Sequence, residues 1–414
     1  MKVVILNTSE HTGGAAVAAN RLLKALRKQS VEAHMLVRDK SSQDPDVATV
    51  NRTWLQQKAN LLRFLWERLV IFLCNHFSRT TLFQVSIANT GTDLSQHPLV
   101  QAADVIHLHW INQGFLSLHD LQKLVSLGKP IVWTMHDMWP CTGICHHARE
   151  CERFRQQCGQ CFYLTSHQKD LSTRVFRSKN RIYQNAPLTF VGCSQWLTNR
   201  AKQSRLFIGK QILSIPNPID LQRFKPMERK AMREQWKLPL DKKLILFGAL
   251  NVTNERKGLS YLIKALHILS SDQIALVVFG QVKSQVAERI PVAIHSLGYV
   301  SDEEKVATIY NAVDLFVTSS LEENLPNTIM ESMACGTPCV GFNTGGIPEM
   351  IDHLSNGYVA RYQDSADLAR GIEWVLNHPE PAKLRETCIQ KVKEHYSEEV
   401  IAGKYLSLYE QIKR

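Results

Sequence analysis

The sequence of 414 residues carries 49 lysines and arginines against 38 aspartates and glutamates, giving a net charge of +11. A chain of this length is too long for one hydrophobic core, so we expect two domains of roughly 200 residues each. No stretch reaches the ~18 apolar residues of a membrane span, and the apolar start at residues 3–6 is too short for a signal peptide. We therefore expect a cytoplasmic protein whose cysteines are mostly reduced.

Apolar runs separated by helix-length segments predict buried strands along the whole chain. Such runs favour parallel sheets covered on both faces, and hence an α/β fold with two Rossmann-like domains. The pattern restarts at Lys243 after a polar stretch rich in proline, which predicts domains at 1–215 and 216–395. The runs are KVVILN, DVIHLHW, PIVWTMH, LTFVGCS, KLILFGAL, IALVVFG, AVDLFVTSS and TPCVGFN.

Two glycines follow the first predicted strand. Gly13 and Gly14 lie between KVVILN and a helix expected from about Ala15 to Leu26. Glycines at such a turn let backbone amides approach a ligand closely. Because the spacing is not that of a full GxGxxG motif, these glycines indicate either a ligand-binding loop or a plain tight turn.

Positive charge is concentrated in the first half of the chain. Residues 1–215 hold 26 basic and 13 acidic residues, whereas residues 216–414 hold 23 and 25. This asymmetry indicates an anionic partner, and without a nucleic-acid-binding module we expect an anionic membrane leaflet rather than nucleic acid. The segment Trp54–Phe77 mixes apolar and basic residues, so it forms either an interfacial membrane helix or an ordinary buried helix with a basic edge.

Histidines mark the ends of two neighbouring predicted strands. His107 and His109 alternate along one strand and so share a face, while His136 and Asp137 close the next strand. Open α/β sheets bind ligands at this edge, although a histidine at a strand end is also common as a structural residue. Asp137 either orients His136 or caps the following segment.

Four cysteines then lie within CHHARECERFRQQCGQC, namely Cys145, Cys151, Cys158 and Cys161. Four thiolates can hold a structural zinc ion, and the Cys-x2-Cys pair at the end of the segment has a usual ligand spacing. The alternatives are unligated thiols or redox pairing. A site closed by four cysteines leaves no open position, so we do not expect this metal to be catalytic.

A basic loop follows the first strand of the second half. Arg256 and Lys257 can place positive charge on a diphosphate, with Lys257 expected to open a helix that runs to Leu269. The alternative is a solvated helix start that happens to be basic. No acidic DxD-like pair lies where a catalytic metal would be held, so we expect cations and helix dipoles to replace Mg²⁺ and no cofactor in catalysis.

The segment Ser319–Gly357 sets Glu323 and Glu331 eight positions apart around Pro326. Pro326 suits a first helical position, which predicts a helix from there to Ala334. Glu331 would lie in its second turn, where a carboxylate can grip the two hydroxyls of a ribose. Glu323, in the preceding loop, can bind sugar hydroxyls in the same way. The segment is typical of a nucleotide-sugar pocket.

Together these blocks resemble the retaining GT-B glycosyltransferases of family 4. The blocks occur in the family's order: SEHTGGAAVAANRLLKAL, ADVIHLHW, TMHDMWPCTGICH, VGCSQWL, IPNPIDLQRF, ERKGLSYLIKAL, LGYVSDEE and the segment from Glu323 to Glu331 with its GG and NG turns. The resemblance implies two Rossmann-like domains facing across a cleft and a terminal helix, 396–414, that returns to the first domain. The chain departs from the family at Ala249, where relatives carry an arginine, and we expect Arg256 to replace it.

The resemblance also implies roles for single residues. His109, His136 and Glu323 would contact the transferred sugar or the acceptor, and the backbone around Tyr299 and Val300 would frame the base. The full set implied for the donor is Gly13, Gly14, Arg256, Lys257, Tyr299, Val300, Glu323, Asn324, Leu325, Asn327, Thr328 and Glu331.

The implied activity is transfer of a sugar from a UDP- or GDP-sugar to a lipid-linked or glycan acceptor. It would serve bacterial surface polysaccharide or lipopolysaccharide assembly, peripherally at the inner membrane. The alternatives are another GT-B chemistry, such as sugar-nucleotide epimerisation or phosphorolysis, and a non-catalytic sugar-nucleotide-binding protein or zinc-dependent scaffold.

Overall fold

The computed structural model describes residues 1–165, 170–251, 254–269, 271–281, 287–300 and 302–413. The chain divides into two compact units, one formed by residues 1–218 with 401–414 and the other by residues 219–400. The division falls inside the proline-rich stretch of the sequence, where few apolar residues are available to continue either core. No helix in these ranges is both long and apolar enough to cross a bilayer.

The first unit contains a parallel sheet of seven described strands in the order β3-β2-β1-β4-β5-β6-β7. The central strands are buried along their whole length, as expected for a sheet covered by helices on both faces. The strands are Lys2–Ser9 (β1), Glu32–Asp39 (β2), Val47–Thr49 (β3), Val105–Leu108 (β4), Ile131–Met135 (β5), Leu188–Gly192 (β6) and Gln211–Ser214 (β7).

The helices of this unit pack around the sheet and enclose a core that includes Leu6, Ile106 and Trp133. The α-helices are Gly14–Lys28, Trp54–Cys74, Pro98–Ala102, Leu118–Val125, Leu171–Gln184, Gln195–Lys202 and the terminal Glu398–Lys413. Short 3₁₀ helices occur at Trp139–Cys141, Arg153–Arg155 and Arg205–Phe207.

The second unit contains a parallel sheet of six described strands in the order β10-β9-β8-β11-β12-β13. Its strands are Lys243–Asn251 (β8), Ile274–Gln281 (β9), Ala293–Gly298 (β10), Leu315–Thr318 (β11), Cys339–Phe342 (β12) and Gly357–Ala360 (β13). Its helices are Arg229–Gln235, the 3₁₀ helix Glu255–Lys257, Leu259–Leu269, Glu303–Ala312, Asn327–Ala334, Ile347–Met350, Ser365–Leu376 and Pro381–Tyr396.

Both sheets confirm the predicted α/β class with Rossmann-like units. In each sheet the strand order reverses at one place, between β1 and β4 and between β8 and β11. Loops leaving the carboxyl ends of these strands diverge to opposite faces, which opens a crevice where α/β sheets bind ligands. The predicted site residues follow β1, β4 and β5 in the first sheet and β8, β10 and β11 in the second, so the topology brings them to the carboxyl edges of the two sheets.

Candidate active site

Two histidines meet at the carboxyl ends of β4 and β5. His109 directly follows β4 and His136 directly follows β5, and these strands are neighbours in the sheet. The His109 Nδ1 lies 2.9 Å from the His136 Nε2, so one ring donates a hydrogen bond to the other. His109 Nε2 is buried and has no hydrogen-bond partner among the described residues. The predicted pairing of the two strand ends is confirmed.

His107 packs against His109 of this pair. Its ring centroid lies 4.4 Å from that of His109, as expected for alternate residues on one strand face. His107 Nδ1 lies 2.6 Å from the Tyr409 hydroxyl and its Nε2 lies 2.8 Å from Thr134 Oγ1, which is itself 2.7 Å from the Tyr405 hydroxyl. Tyr409 and Tyr405 of the helix Glu398–Lys413 thus hold the ring of His107, which packs against His109.

Burial keeps the three histidines neutral near pH 7. Burial, with a smaller contribution from His136, lowers the pKa of His107 to about 3. Burial and the two neighbouring imidazoles hold the pKa of His109 well below its usual range. Burial lowers the pKa of His136 to about 4, although Asp137 opposes the shift. Neutral imidazoles can both donate and accept hydrogen bonds, as contact with sugar hydroxyls requires.

Asp137 joins the end of β5 to the segment that follows. Its Oδ1 accepts a hydrogen bond from the backbone amide of Trp139 at 2.8 Å, which supports the predicted capping role. Its Oδ2 accepts from the Trp110 indole at 2.9 Å and lies 2.7 Å from His146 Nδ1. Burial would raise the pKa of this carboxyl, but His146 and these hydrogen bonds lower it to about 2. Asp137 is therefore a charged bridge between the two strand ends and the loop beyond.

The glycine turn after β1 lies at the same edge of the sheet, because β1 and β4 are paired. Gly13 has φ of 92° and directly precedes the helix Gly14–Lys28. A Cβ at Gly13 would meet no atom within 4 Å. The glycine is therefore required by the backbone conformation and not by crowding, since this φ disfavours other residues.

The basic turn of the second unit differs in one respect from the prediction. Lys257 does not open the following α-helix but ends the 3₁₀ helix Glu255–Lys257, and the α-helix begins at Leu259. Gly258 between them has φ of 65°, a left-handed conformation that interrupts a right-handed helix. Asn254 caps the turn by accepting a hydrogen bond from the Arg256 amide at 3.1 Å.

Lys257 forms an ion pair with Glu323, so the basic turn and the acidic loop meet. The Lys257 ammonium donates a hydrogen bond to Glu323 Oε1, which also accepts from Ser320 Oγ at 3.1 Å. Both charged side chains are partly accessible, so they remain available to a ligand. The structure thus brings together two residues that lie 66 positions apart in the sequence.

Two glycines fix the loop that carries Glu323. A Cβ on Gly258 would lie 1.9 Å from the Ser319 carbonyl oxygen, and one on Gly345 would lie 1.6 Å from the Glu323 carbonyl oxygen. The amide of Gly346 donates to the Asn324 carbonyl at 2.8 Å. The backbone of the acidic loop is therefore held from both sides by turns that only glycine permits.

Glu331 lies in the second turn of the helix Asn327–Ala334, as predicted. Its Oε2 accepts a hydrogen bond from the Tyr310 hydroxyl at 3.2 Å, and the residue is buried. Pro326 is not the first helical residue but occupies the N-cap position, with ψ of 114°. An extended ψ breaks the helix at that residue, and no side chain caps the helix there.

The remaining residues that were predicted to bind the donor differ in exposure. Asn324 and Leu325 are buried, Asn327 and Thr328 are half-buried at the helix start, and Val300 is half-buried. Tyr299 is exposed, just after β10. The guanidinium of Arg256 has a buried Nε without a hydrogen-bond partner in the described chain, and the Ala249 side chain lies outside the described part.

The four predicted zinc ligands occupy different environments. Cys145 and Cys158 are buried, whereas Cys151 and Cys161 are half-buried, and all four are free thiols. Burial raises the pKa of Cys158 to about 12 and that of Cys161 to about 11. Within the described ranges, no three His, Cys, Asp or Glu side chains are grouped as a metal site. The zinc site therefore stays a prediction.

A buried lysine holds the start of this cysteine-rich loop. Lys179 Nζ donates hydrogen bonds to the carbonyls of Trp139, Thr142 and Gly143, at 2.5, 3.1 and 3.1 Å, and lies 3.4 Å from the Trp139 ring centroid. Burial lowers the pKa of Lys179 to about 7. This lysine links the loop after β5 to the helix Leu171–Gln184.

Sequence reasoning missed Tyr405, Tyr409, Ser320 and Tyr310 as partners of the site. The spacing of four between the two C-terminal tyrosines places them on one helix face, which was a usable signal. Ser320 and Tyr310 carried no such signal, because their roles depend on contacts made only in the folded unit.

Comparisons with known families identify the class of protein that these two parallel α/β units form. The sequence profile of Glycosyltransferase Family 4 matches residues 12–223, and that of glycosyl transferases group 1 matches residues 228–395. The first match alone spans more than half of the chain. The protein belongs to Glycosyltransferase Family 4 and is a glycosyltransferase enzyme.

Relatives of known name match at low identity. The chain is 29% identical over 117 residues to N-acetyl-alpha-D-glucosaminyl L-malate synthase of Bacillus anthracis, covering 28% of this chain and 31% of that protein. It is 23% identical over 331 residues to the glycosyl transferase WcaC of Escherichia coli strain K12, which is named for colanic acid biosynthesis, covering 76% and 77%. The first of these matches thus spans about a third of the relative's length.

Solved structures support the fold. Sucrose-phosphate synthase from Thermosynechococcus elongatus superposes with a TM-score of 0.69 at 18% identity, covering 100% of this chain and 99% of that one. Anabaena Alr3699/HepE, solved in complex with UDP and glucose, gives a TM-score of 0.65 at 16% identity and covers 99% of both chains. At these identities the likeness establishes the fold and not the substrate.

Proposed function

We propose that this glycosyltransferase transfers a sugar from a UDP- or GDP-sugar to a lipid-linked or glycan acceptor, with retention of anomeric configuration. The observation that supports the proposal is the Lys257–Glu323 ion pair, in which a cation and a carboxylate lie side by side next to a glycine-fixed loop. The complex of HepE with UDP and glucose supports a uridine donor, by analogy of fold.

In this proposal the second unit binds the donor. Lys257 and Arg256 stabilise the negative charge that develops on the departing diphosphate, together with the amino end of the helix Asn327–Ala334. Glu323 accepts hydrogen bonds from the sugar hydroxyls, and the buried Glu331 accepts them from the ribose diol. The backbone after β10, at Tyr299 and Val300, contacts the base.

The first unit binds the acceptor in the same proposal. Neutral His109 and His136 offer hydrogen-bonding groups at the ends of β4 and β5, and the Gly13–Gly14 turn lies at the same sheet edge. We assign no covalent nucleophile, because front-face attack needs only an acceptor hydroxyl and a departing phosphate oxygen that takes its proton. The name of WcaC favours surface polysaccharide assembly, and we place the reaction in the cytoplasm at an anionic membrane surface.

The test begins with donor binding. We expect one UDP- or GDP-sugar to raise the thermal unfolding midpoint, since a ligand at 100 times its Kd stabilises by roughly 2.7 kcal/mol. That sugar nucleotide should then release nucleoside diphosphate in proportion to glycosylated acceptor. Tight binding without turnover would identify a non-catalytic sensor, and isomerisation of the sugar nucleotide without release would identify an epimerase.

We also propose that Cys145, Cys151, Cys158 and Cys161 hold a structural zinc ion. To bind it, the half-buried thiols of Cys151 and Cys161 would have to move next to the buried thiols of Cys145 and Cys158. Zinc binding would displace the thiol protons and stabilise the loop. Elemental analysis of protein purified without added metal is expected to find about one zinc per chain. A Cys158→Ser/Cys161→Ser variant should lose that metal, and a stoichiometry near zero in the unmodified protein would refute the site.

A further inference from the structure

The helix Trp54–Cys74 carries a buried ion pair on its inward face. Glu67 and Arg68 are both buried, with 3.0 Å between the guanidinium and the carboxylate. Glu67 Oε1 accepts hydrogen bonds from the backbone amides of Ile87 and Ala88, at 2.8 and 2.9 Å. Polar contacts therefore anchor this helix to its unit, whereas an ordinary amphipathic surface helix packs its apolar face on the core.

The outward face of this helix is apolar. Among the described residues, ten of the seventeen exposed large hydrophobic side chains lie between positions 54 and 83. Their spacing of three and four residues forms one stripe along the helix, which includes Trp54, Leu62, Leu65, Trp66, Leu69 and Leu73. The alternative prediction of an ordinary buried helix is therefore wrong. A contiguous apolar surface of this kind marks an interaction site.

Positive charge surrounds the stripe. Between residues 51 and 92 the basic residues outside the buried Glu67–Arg68 pair are Arg52, Lys58, Arg63 and Arg79, whereas the only acidic residue is Glu67 itself. Arg79 also lines the open groove formed by Leu62, Leu65, Trp66, Leu69, Phe72 and Leu82, with its guanidinium 5.8 Å from the Phe72 ring centroid. The exposed surface of this segment is apolar and cationic, with no exposed acid.

We propose that this surface docks into the headgroup region of an anionic bilayer, with the helix Trp54–Cys74 lying in the plane of the membrane. Leucines would enter the acyl boundary, tryptophans suit the polar interface, and the cations would contact anionic headgroups. A second copy of the chain is a poorer occupant, because pairing two such surfaces would bring Lys58, Arg63 and Arg79 against like charges. This inference adds a membrane-binding surface to the proposed function. It rests on that proposed function only in assuming that the acceptor is lipid-linked.

The experiment measures binding of the full chain to vesicles by co-sedimentation. We expect binding to phosphatidylcholine vesicles containing one quarter phosphatidylglycerol to be at least ~10-fold tighter than to pure phosphatidylcholine, because each basic residue near an anionic surface contributes about fivefold. Raising the salt from about 0.05 to 0.5 M should weaken it several-fold. Leu62→Glu/Trp66→Glu should abolish it, since charged side chains cannot enter the acyl boundary.

Leu240→Glu is the matched control, because Leu240 is 52% exposed in the other unit and Leu62 is 64% exposed. This control should bind like the unmodified protein. Thermal unfolding should show that both variants fold, since the substituted side chains are exposed. Lys58→Gln keeps the apolar stripe and should lower only the binding to anionic vesicles.

Several outcomes would overturn the proposal. Equal binding to neutral and anionic vesicles would remove its electrostatic basis, and binding by Leu62→Glu/Trp66→Glu would show that another surface is used. A dimer in light scattering that this variant dissociates would identify a second copy as the occupant. Transfer to a water-soluble acceptor separates the two proposals, because membrane docking can fail while transfer persists, and transfer can fail while docking persists.

Discussion

Lys257→Met is expected to lower kcat/KM for glycosyl transfer by about 10²–10³-fold, or roughly 2.7–4 kcal/mol of transition-state stabilisation. The diphosphate gains negative charge as the glycosidic bond breaks, so a fixed cation stabilises the transition state more than the bound donor. Most of the loss should therefore fall on kcat. Initial rates of nucleoside diphosphate release at varied donor concentration measure both constants.

Lys264→Met is the control for this substitution. Lys264 is exposed on the next α-helix, 5.8 Å from the Tyr261 ring centroid, and lies outside the ion pair. Its variant should keep the activity of the unmodified enzyme. Glu323→Gln combined with Lys257→Met should lose less than the sum of the two single losses, because the two side chains share a hydrogen bond. Additive losses, or an active Lys257→Met, would contradict the assigned role.

Glu331→Gln is expected to raise the KM for the donor by about 10- to 100-fold while kcat changes little. The ribose is bound in the same way in the ground state and the transition state, so a lost hydrogen bond to it weakens binding uniformly. The amide occupies nearly the same volume as the carboxylate, which limits the structural effect in this buried position. Donor titration under steady-state conditions measures the change.

Tyr310→Phe separates binding from structure at this position. It removes the 3.2 Å hydrogen bond to Glu331 but keeps the carboxylate itself in place. We expect a small loss of thermal stability and a KM close to that of the unmodified enzyme. If Tyr310→Phe raised KM as much as Glu331→Gln, the carboxylate would be a core residue and not a ribose ligand.

The sequence predicted the central strands better than the peripheral ones. All eight apolar runs are strands in the structure, at β1, β4, β5, β6, β8, β9, β11 and β12. The strands that were not predicted are β2, which lies next to an edge strand, and β3, β7, β10 and β13, which form the outer edges of the two sheets. Edge strands are buried on fewer sides, so they are short or carry polar residues and lack the continuous apolar run that marked the others.

The site was predictable at the level of residues but not of contacts. The sequence predicted that His109 and His136 lie at neighbouring strand ends, because the topology of parallel sheets gathers strand ends at one edge. The ion pair of Lys257 with Glu323 was not predictable, since it depends on how the Gly258 turn packs on the loop after β11. The exposure of Leu62 and the burial of Glu67 on the same helix were likewise not predictable, because periodicity alone does not show which face is buried.

The terminal helix has a consequence for biosynthesis of the chain. Tyr405 and Tyr409 contact Thr134 and His107, so the interior of the first unit uses residues that are translated after the whole second unit. When residues 1–218 have left the ribosome, Tyr405 and Tyr409 have not yet been synthesised, although the rest of that unit can already fold. The nascent enzyme therefore completes the interior of its first unit only after the second unit has been synthesised, and removal of residues 401–414 leaves that interior open.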